Sequence, residues 1–182
     1  MLSRLLTLVA VWLITIPLTM AQGTEMQPYE LIKKIDSVEI RFYPSATLVE
    51  TRGGNSFSKL FQYISGNNES KQKIAMTAPV YMNESKSKMA FVMPLSVHEE
   101  GAPIPKSEQV SLRVTEPRYV AAIRYAGYTN AQKEVTHKQK LLQTLEENDI
   151  STIGELEILG YDSPYKFYNR RNEIMVAISY TK

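Results

Sequence analysis

The chain has no cysteine, which excludes disulfide staples, thiolate metal sites and cysteine nucleophiles. Histidine is almost missing as well. His98 and His137 are the only two in 182 residues, and they lack the i, i+4 spacing of a helical metal pair. There is no glycine-rich phosphate loop, no nucleophile elbow and no H-E-x-x-H motif. Nor is there an excess of one charge. Lys and Arg total 21 against 19 Asp and Glu, a net charge of +2, too balanced for the basic footprint of a nucleic-acid partner. Glu99-Glu100 and Glu146-Glu147 are sequence neighbours, so neither pair faces itself across a regular element. What the chain does carry is tyrosine, at 11, and methionine, at 8.

The N-terminus reads as a leader. Arg4 supplies a positive charge, Leu5 to Leu18 is apolar apart from Thr7 and Thr15, and Thr19-Met20-Ala21 offers a small residue before Gln22. That order is the one found in secretory signal peptides, here residues 1–21. The apolar run is shorter than the roughly 20 residues a membrane span needs, and an uncleaved anchor is the other reading. The sequence therefore predicts an exported protein, periplasmic or secreted, with no stable membrane span once the leader is removed. Residues 22–182 are long enough for one domain with its own core.

Along that domain, Tyr29 to Tyr43 reads as a hairpin turning at Asp36-Ser37, and Ala46 to Thr51 as a strand. Asn55 or Ser56 is the expected cap of a helix whose Phe57, Leu60, Phe61 and Ile64 fall on one face, with Gly66 ending it. Lys73 to Met82 is extended, with Pro79 at a strand end or edge, and Lys88 to Met93 is a strand. Ser96 to Glu108 reads as a loop containing His98. The pattern then recurs. Val110-Ser111-Leu112-Arg113 repeats the spacing of Val38-Glu39-Ile40-Arg41, Pro117 follows as Pro44 did, and a second helix runs from a cap at Thr129 or Asn130 to about Glu147. In that helix Ala131, Val135, Lys138, Leu142 and Leu145 share a face. Strands near Glu157–Tyr161 and Glu173–Tyr180 close the chain. This predicts an internal duplication, residues 29–95 and 110–182. Its fold class is α+β, a distorted antiparallel β-barrel of two pseudo-symmetric halves flanked by two main helices, with a cleft between the halves.

Lys73 to Val80 holds no Cys, His, Asp or Glu, so it suits lining rather than reacting. Four methionines lie between Met76 and Met93, and this adaptable, polarisable side chain suits either a flat apolar ligand or ordinary core packing. Arg170-Arg171 can grip ligand carboxylates bidentately or pair with Glu173 and other sheet neighbours. The sequons Asn68-Glu69-Ser70 and Asn83-Glu84-Ser85 are the number expected by chance.

Several stretches, in order, resemble the SOUL haem-binding protein family. They are Tyr29-Glu30 with Arg41 and Tyr43, Tyr63-Ile64-Ser65-Gly66-Asn67, Lys73 to Val80, Phe91-Val92-Met93-Pro94, and Tyr161-Asp162 with Pro164 through to Glu173. The resemblance implies the same two-halved barrel with two helices. It also implies haem or a related tetrapyrrole held in an apolar cleft beside the first helix. By position the wall is Phe57, Phe61 and Gln62, with Lys166 facing the propionates. Met76 is a further wall candidate and Arg170 a further carboxylate partner. No residue is assigned to the iron. The expected function is non-enzymatic: to buffer, carry or scavenge haem, with no nucleic-acid partner. The alternatives are a generic effector-type small-molecule binder, or a hydrolase using Glu173 and a nearby tyrosine.

Overall fold

The computed structural model describes residues 23–163 and 165–181; the leader reading at 1–21 lies outside them. The elements are β1 (Glu25–Met26), β2 (Glu30–Ile35), β3 (Val38–Tyr43), β4 (Ala46–Arg52), α1 (Ser56–Ile64), β5 (Thr77–Ala78), β6 (Val80–Asn83), β7 (Lys88–Val92), α2 (Leu95–Glu100), β8 (Val110–Thr115), β9 (Arg118–Ala126), α3 (Ala131–Glu146), β10 (Thr152–Gly160) and β11 (Arg171–Ile178). Nine strands form one curled antiparallel sheet in the order β2-β3-β9-β11-β10-β6-β7-β4-β8. β1 and β5 make a small separate pair, which is parallel, unlike the all-antiparallel expectation.

The order is symmetric about the β6–β10 pairing. On one side stand β11, β9 and β3; on the other stand β7, β4 and β8. Matching the repeats puts β6 with β10, β7 with β11, β4 with β9 and β3 with β8. The first strand of each half is thus exchanged: β3 pairs with β9, and β8 with β4. β2 is added at one edge by a two-residue hairpin, with Asp36 at φ 52 in its turn.

Strand alternation sorts the core into three parts. Leu48, Ala90, Val92, Val120, Ala122 and Met175 point inside the curl. Their sequence neighbours Val49 and Phe91 point outward under α1, and Ala121, Ile123, Ile174 and Val176 point outward under α3.

α1 departs from its expected face. Its packing stripe is Ser56, Leu60, Tyr63 and Ile64, while Phe57 and Phe61 are 47% and 50% exposed. Asn55 occupies the cap position in the left-handed region but makes no side-chain bond there; Ser56 Oγ instead donates to the Gly53 carbonyl at 2.5 Å. In α3 the Asn130 side chain accepts from Lys133 N–H at 2.9 Å, as its cap position requires. Its buried residues are Leu141, Thr144 and Leu145, so the helix sits rotated from the expected stripe and leaves Val135 exposed.

α2 is a helix where a loop was expected. Pro94 precedes it, and its first N–H, that of Leu95, donates to the Glu25 carboxylate at 2.8 Å. The satisfying group is 70 residues away in the chain, so no local signal announces it. β10 also begins earlier than expected, because its register shifts between Ile153 and Glu157, where Gly154 at φ 83 breaks the alternation. The sequon at Asn68 is closed in the fold: its side chain is fully buried and donates to the Tyr63 and Gln72 carbonyls.

Candidate functional site

Helix α1 presents an apolar surface that the core does not use. Phe57 and Phe61 lie one turn apart and stack, with centroids 6.1 Å apart and planes within 12°. Phe57 meets the buried Phe91 edge-on at 5.3 Å. Phe91 is the cross-strand partner of Val80, and Met89 that of Met82. Met76, Val80 and Met89 are half-buried against the same cluster. Gln62, beside Phe61 in sequence, is exposed. The outer side of the first half therefore offers two exposed rings, methionine and valine beside them, and one amide.

The other predicted residues sit in the loop between β10 and β11. Lys166 Nζ pairs with Asp162 Oδ1 at 2.6 Å, and Asp162 Oδ2 accepts from Arg171 N–H at 2.6 Å. Arg170 donates to the carbonyls of Ser163 and Lys166 at 2.6 and 2.7 Å, and its guanidinium lies over Tyr128. Both cations brace the loop. Gly160 at the root of this loop is the cross-strand partner of Val80, so the Met76 segment and the loop leave the sheet at the same end.

The loop also carries Tyr165, Phe167 and Tyr168, exposed at 89%, 77% and 69%. Sequence reasoning did not single these three out. The signal was present, as an aromatic run flanked by Lys166, Arg170 and Arg171 in a segment with no apolar periodicity.

Arg171 follows its structural reading. Its Nε and Nη2 donate to Glu173 Oε1 at 2.9 and 2.7 Å, and it lies 3.9 Å over the Tyr161 ring. Glu173 is fully buried. Arg41, also buried, donates to both its oxygens at 2.6 and 3.1 Å, and Tyr161 O–H donates to Oε2 at 2.8 Å. Burial alone would raise the Glu173 carboxyl, but the hydrogen bonds and charge of Arg41, with Arg171, outweigh it and hold the group below the usual carboxylate range. The pair suggested for hydrolysis, Glu173 and a tyrosine, does come together. Its carboxylate has both oxygens filled and no exposed surface, an arrangement that holds charge rather than moving a proton to a substrate.

Burial raises several phenols. Tyr63 is pushed up to about 12, and Tyr81 and Tyr161 are also raised, Tyr161 further by the charge of Glu173. Their folded pKa values exceed the unfolded value near 10. Their contribution is thus complete below pH 10 and is lost as pH rises through the folded values. Urea midpoints should fall between pH 10 and 12 more steeply for wild type than for Tyr63→Phe; parallel curves would contradict this.

Neither histidine lies on α1. His98, placed by the structure on α2, bonds through Nδ1 to Thr47 Oγ1 at 2.8 Å, and His137 Nδ1 donates to the Lys133 carbonyl while its ring stacks on Tyr125. Among the described residues no group of three or more His, Asp or Glu is placed to hold a metal ion.

Residues 24–177, nearly all of the described chain, match the SOUL heme-binding protein family. The chain belongs to the SOUL family. Heme-binding protein 2 of Homo sapiens is 31% identical over 156 residues, which cover 76% of this chain and 76% of that protein. Heme-binding protein 1 of Mus musculus is 31% identical over 128 residues, 65% of this chain and 67% of that one. Among solved structures, a hydrolase from Listeria innocua aligns with a TM-score of 0.57 at 12% identity, over 79% of this chain and 92% of its own. The C-terminal domain of EcmrR aligns at 0.54 and 11%, over 84% and 99%. At that identity the likeness of these two to the SOUL chain is one of fold.

Proposed function

We propose that this SOUL-family protein binds haem or a related tetrapyrrole against the exposed face of α1, and that it buffers, carries or scavenges the ligand without transforming it. The observation that carries the reading is the stacked, half-exposed Phe57–Phe61 pair, an aromatic surface beside Met76 that the protein's own core leaves uncovered. Phe57, Phe61 and Met76 would supply the apolar contact, and Gln62 a polar edge. Retention would come from apolar burial, at about 25 cal/mol per Å² before association costs, rather than from an assigned iron ligand. The bound group would supply the iron and its redox chemistry.

The internal symmetry supports a role for Lys166. The β6–β7 turn touches α3 through Lys86–Glu134 and Glu84–Lys138. The matching elements in the other half are the β10–β11 loop and α1; by that analogy Lys166 and Arg170 would lie towards the α1 face, where a ligand's carboxylates would compete with Asp162. The order of charge, apolar run and small residue in Met1–Ala21 supports export, to a periplasm or beyond the cell.

Haemin titration of residues 22–182 tests the core of the proposal. The expected outcome is a Soret shift and saturable quenching of tyrosine fluorescence at micromolar haemin, Trp12 being in the leader. A flat titration at that concentration would end the proposal.

A further inference from the structure

A cavity of about 310 Å³ opens between the N-terminal segment and α2. None of Phe57, Phe61, Gln62, Lys166 or Arg170 lines it. Its floor is apolar, with Pro28, Ala46, Val92 and Met93. One wall is the N-terminal segment, held by the β1–β5 pairing, by Gln27 N–H donating to the Ala78 carbonyl at 2.8 Å, and by Tyr81 O–H donating to Gln27 Oε1 at 2.6 Å. The opposite wall is α2. There His98 is fixed through Thr47, and Leu95 is half-exposed on the rim.

The charged groups on this cavity are of one sign. Glu25 and Glu99 both line it, and no Lys or Arg among the described residues does. Both carboxylates adjoin α2. Glu25 is tied to the Leu95 N–H, and Glu99 follows Leu95 by four residues, one turn along the same side of α2. Two carboxylates at the mouth of an apolar hollow make a local field that favours a cation over a neutral or anionic molecule of the same shape. The volume lies at the lower end of small-molecule sites, roughly 300–1,000 Å³. It suits a one-ring ligand.

We propose that this cavity binds a small lipophilic amine, its apolar body against Pro28, Val92 and Met93 and its ammonium group facing Glu25 and Glu99. The site is separate from the α1 face and does not depend on what binds there.

Three probes of one shape test it: 4-phenylbutylamine, 4-phenylbutanol and 4-phenylbutyrate, titrated into residues 22–182 and followed by NMR at His98 and the Met93 methyl. The amine should shift both signals saturably, bind roughly fivefold tighter than the alcohol, and lose that advantage at high salt; the butyrate should be weakest. Glu99→Gln should bring amine and alcohol together. Ser45→Phe, which puts a ring on the cavity wall, should weaken all three probes while leaving the haemin titration unchanged. Equal affinity for the three probes, no shift at His98 with the amine at millimolar concentration, or shifts centred on Phe57 and Phe61 instead would overturn the proposal.

Discussion

Replacing Glu173 by alanine should cost about 3–5 kcal/mol of stability, because it strips Arg171 of its carboxylate and leaves the buried Arg41 with Glu39 alone. Arg41 is 2% exposed and Glu173 fully buried, so water cannot take the place of the lost carboxylate without opening the curl. Arg41 also stands 4.3 Å over the Tyr29 ring and donates to Glu39 at 2.7 Å, so it cannot swing away cheaply. Urea denaturation at pH 7 reads the effect as a fall in midpoint with an unchanged slope. The pair replacement Arg41→Met with Glu173→Leu should be milder than Glu173→Ala alone, since it removes both desolvated charges. A loss under about 1 kcal/mol in Glu173→Ala would show that solvent already reaches the network. The acid limb follows from the same residue. Its folded pKa is depressed, so the stabilisation is present above the unfolded value near 4.3 and disappears as pH falls through the lower folded value.

The second large effect concerns binding. Phe61→Ala should weaken haemin affinity about thirtyfold. The exposed half of the ring is available for a ligand to cover, at about 2 kcal/mol. Stability should barely change, because Phe61 lies off the packing stripe of α1. Leu60→Ala, one residue earlier and fully buried, should do the reverse, costing about 2–5 kcal/mol of stability. Lys166→Ala should be a lesser change of about fivefold or under, because the ammonium is exposed and already paired with Asp162. Thermal melts beside Soret titrations separate the two classes. If Phe61→Ala binds haemin as wild type does, the ligand lies elsewhere.

Much of the architecture was legible because each half repeats its punctuation. Val38-Glu39-Ile40-Arg41 and Val110-Ser111-Leu112-Arg113 do become corresponding strands, β3 and β8, and Gly66, at φ 106, does end α1. The same two strands show where reading stops. Arg41 is buried against Glu173, whereas Arg113 is 41% exposed and pairs with Glu50. Identical spacing meets different fates because β3 is flanked by β2 and β9, while β8 is an edge strand paired only with β4. Periodicity alone would have put Phe57 and Phe61 in the core, whereas the structure leaves both half-exposed; their place in the candidate site comes from the family resemblance. The helical state of α2 was hidden because its first N–H is satisfied by Glu25, the contact that also brings Glu25 to the helix that carries Glu99.

The exchange of first strands has a consequence for how the molecule comes apart. Each half takes its outermost strand from the other, so a nick in the stretch between α2 and β8 would yield two pieces, neither with a complete four-strand layer. β8 would leave with the C-terminal piece and take with it the ladder that covers β4, while β3 would be withheld from β9. The fragments would therefore be obligate complements that regain structure only together, and the intact chain should melt as one cooperative unit rather than half by half.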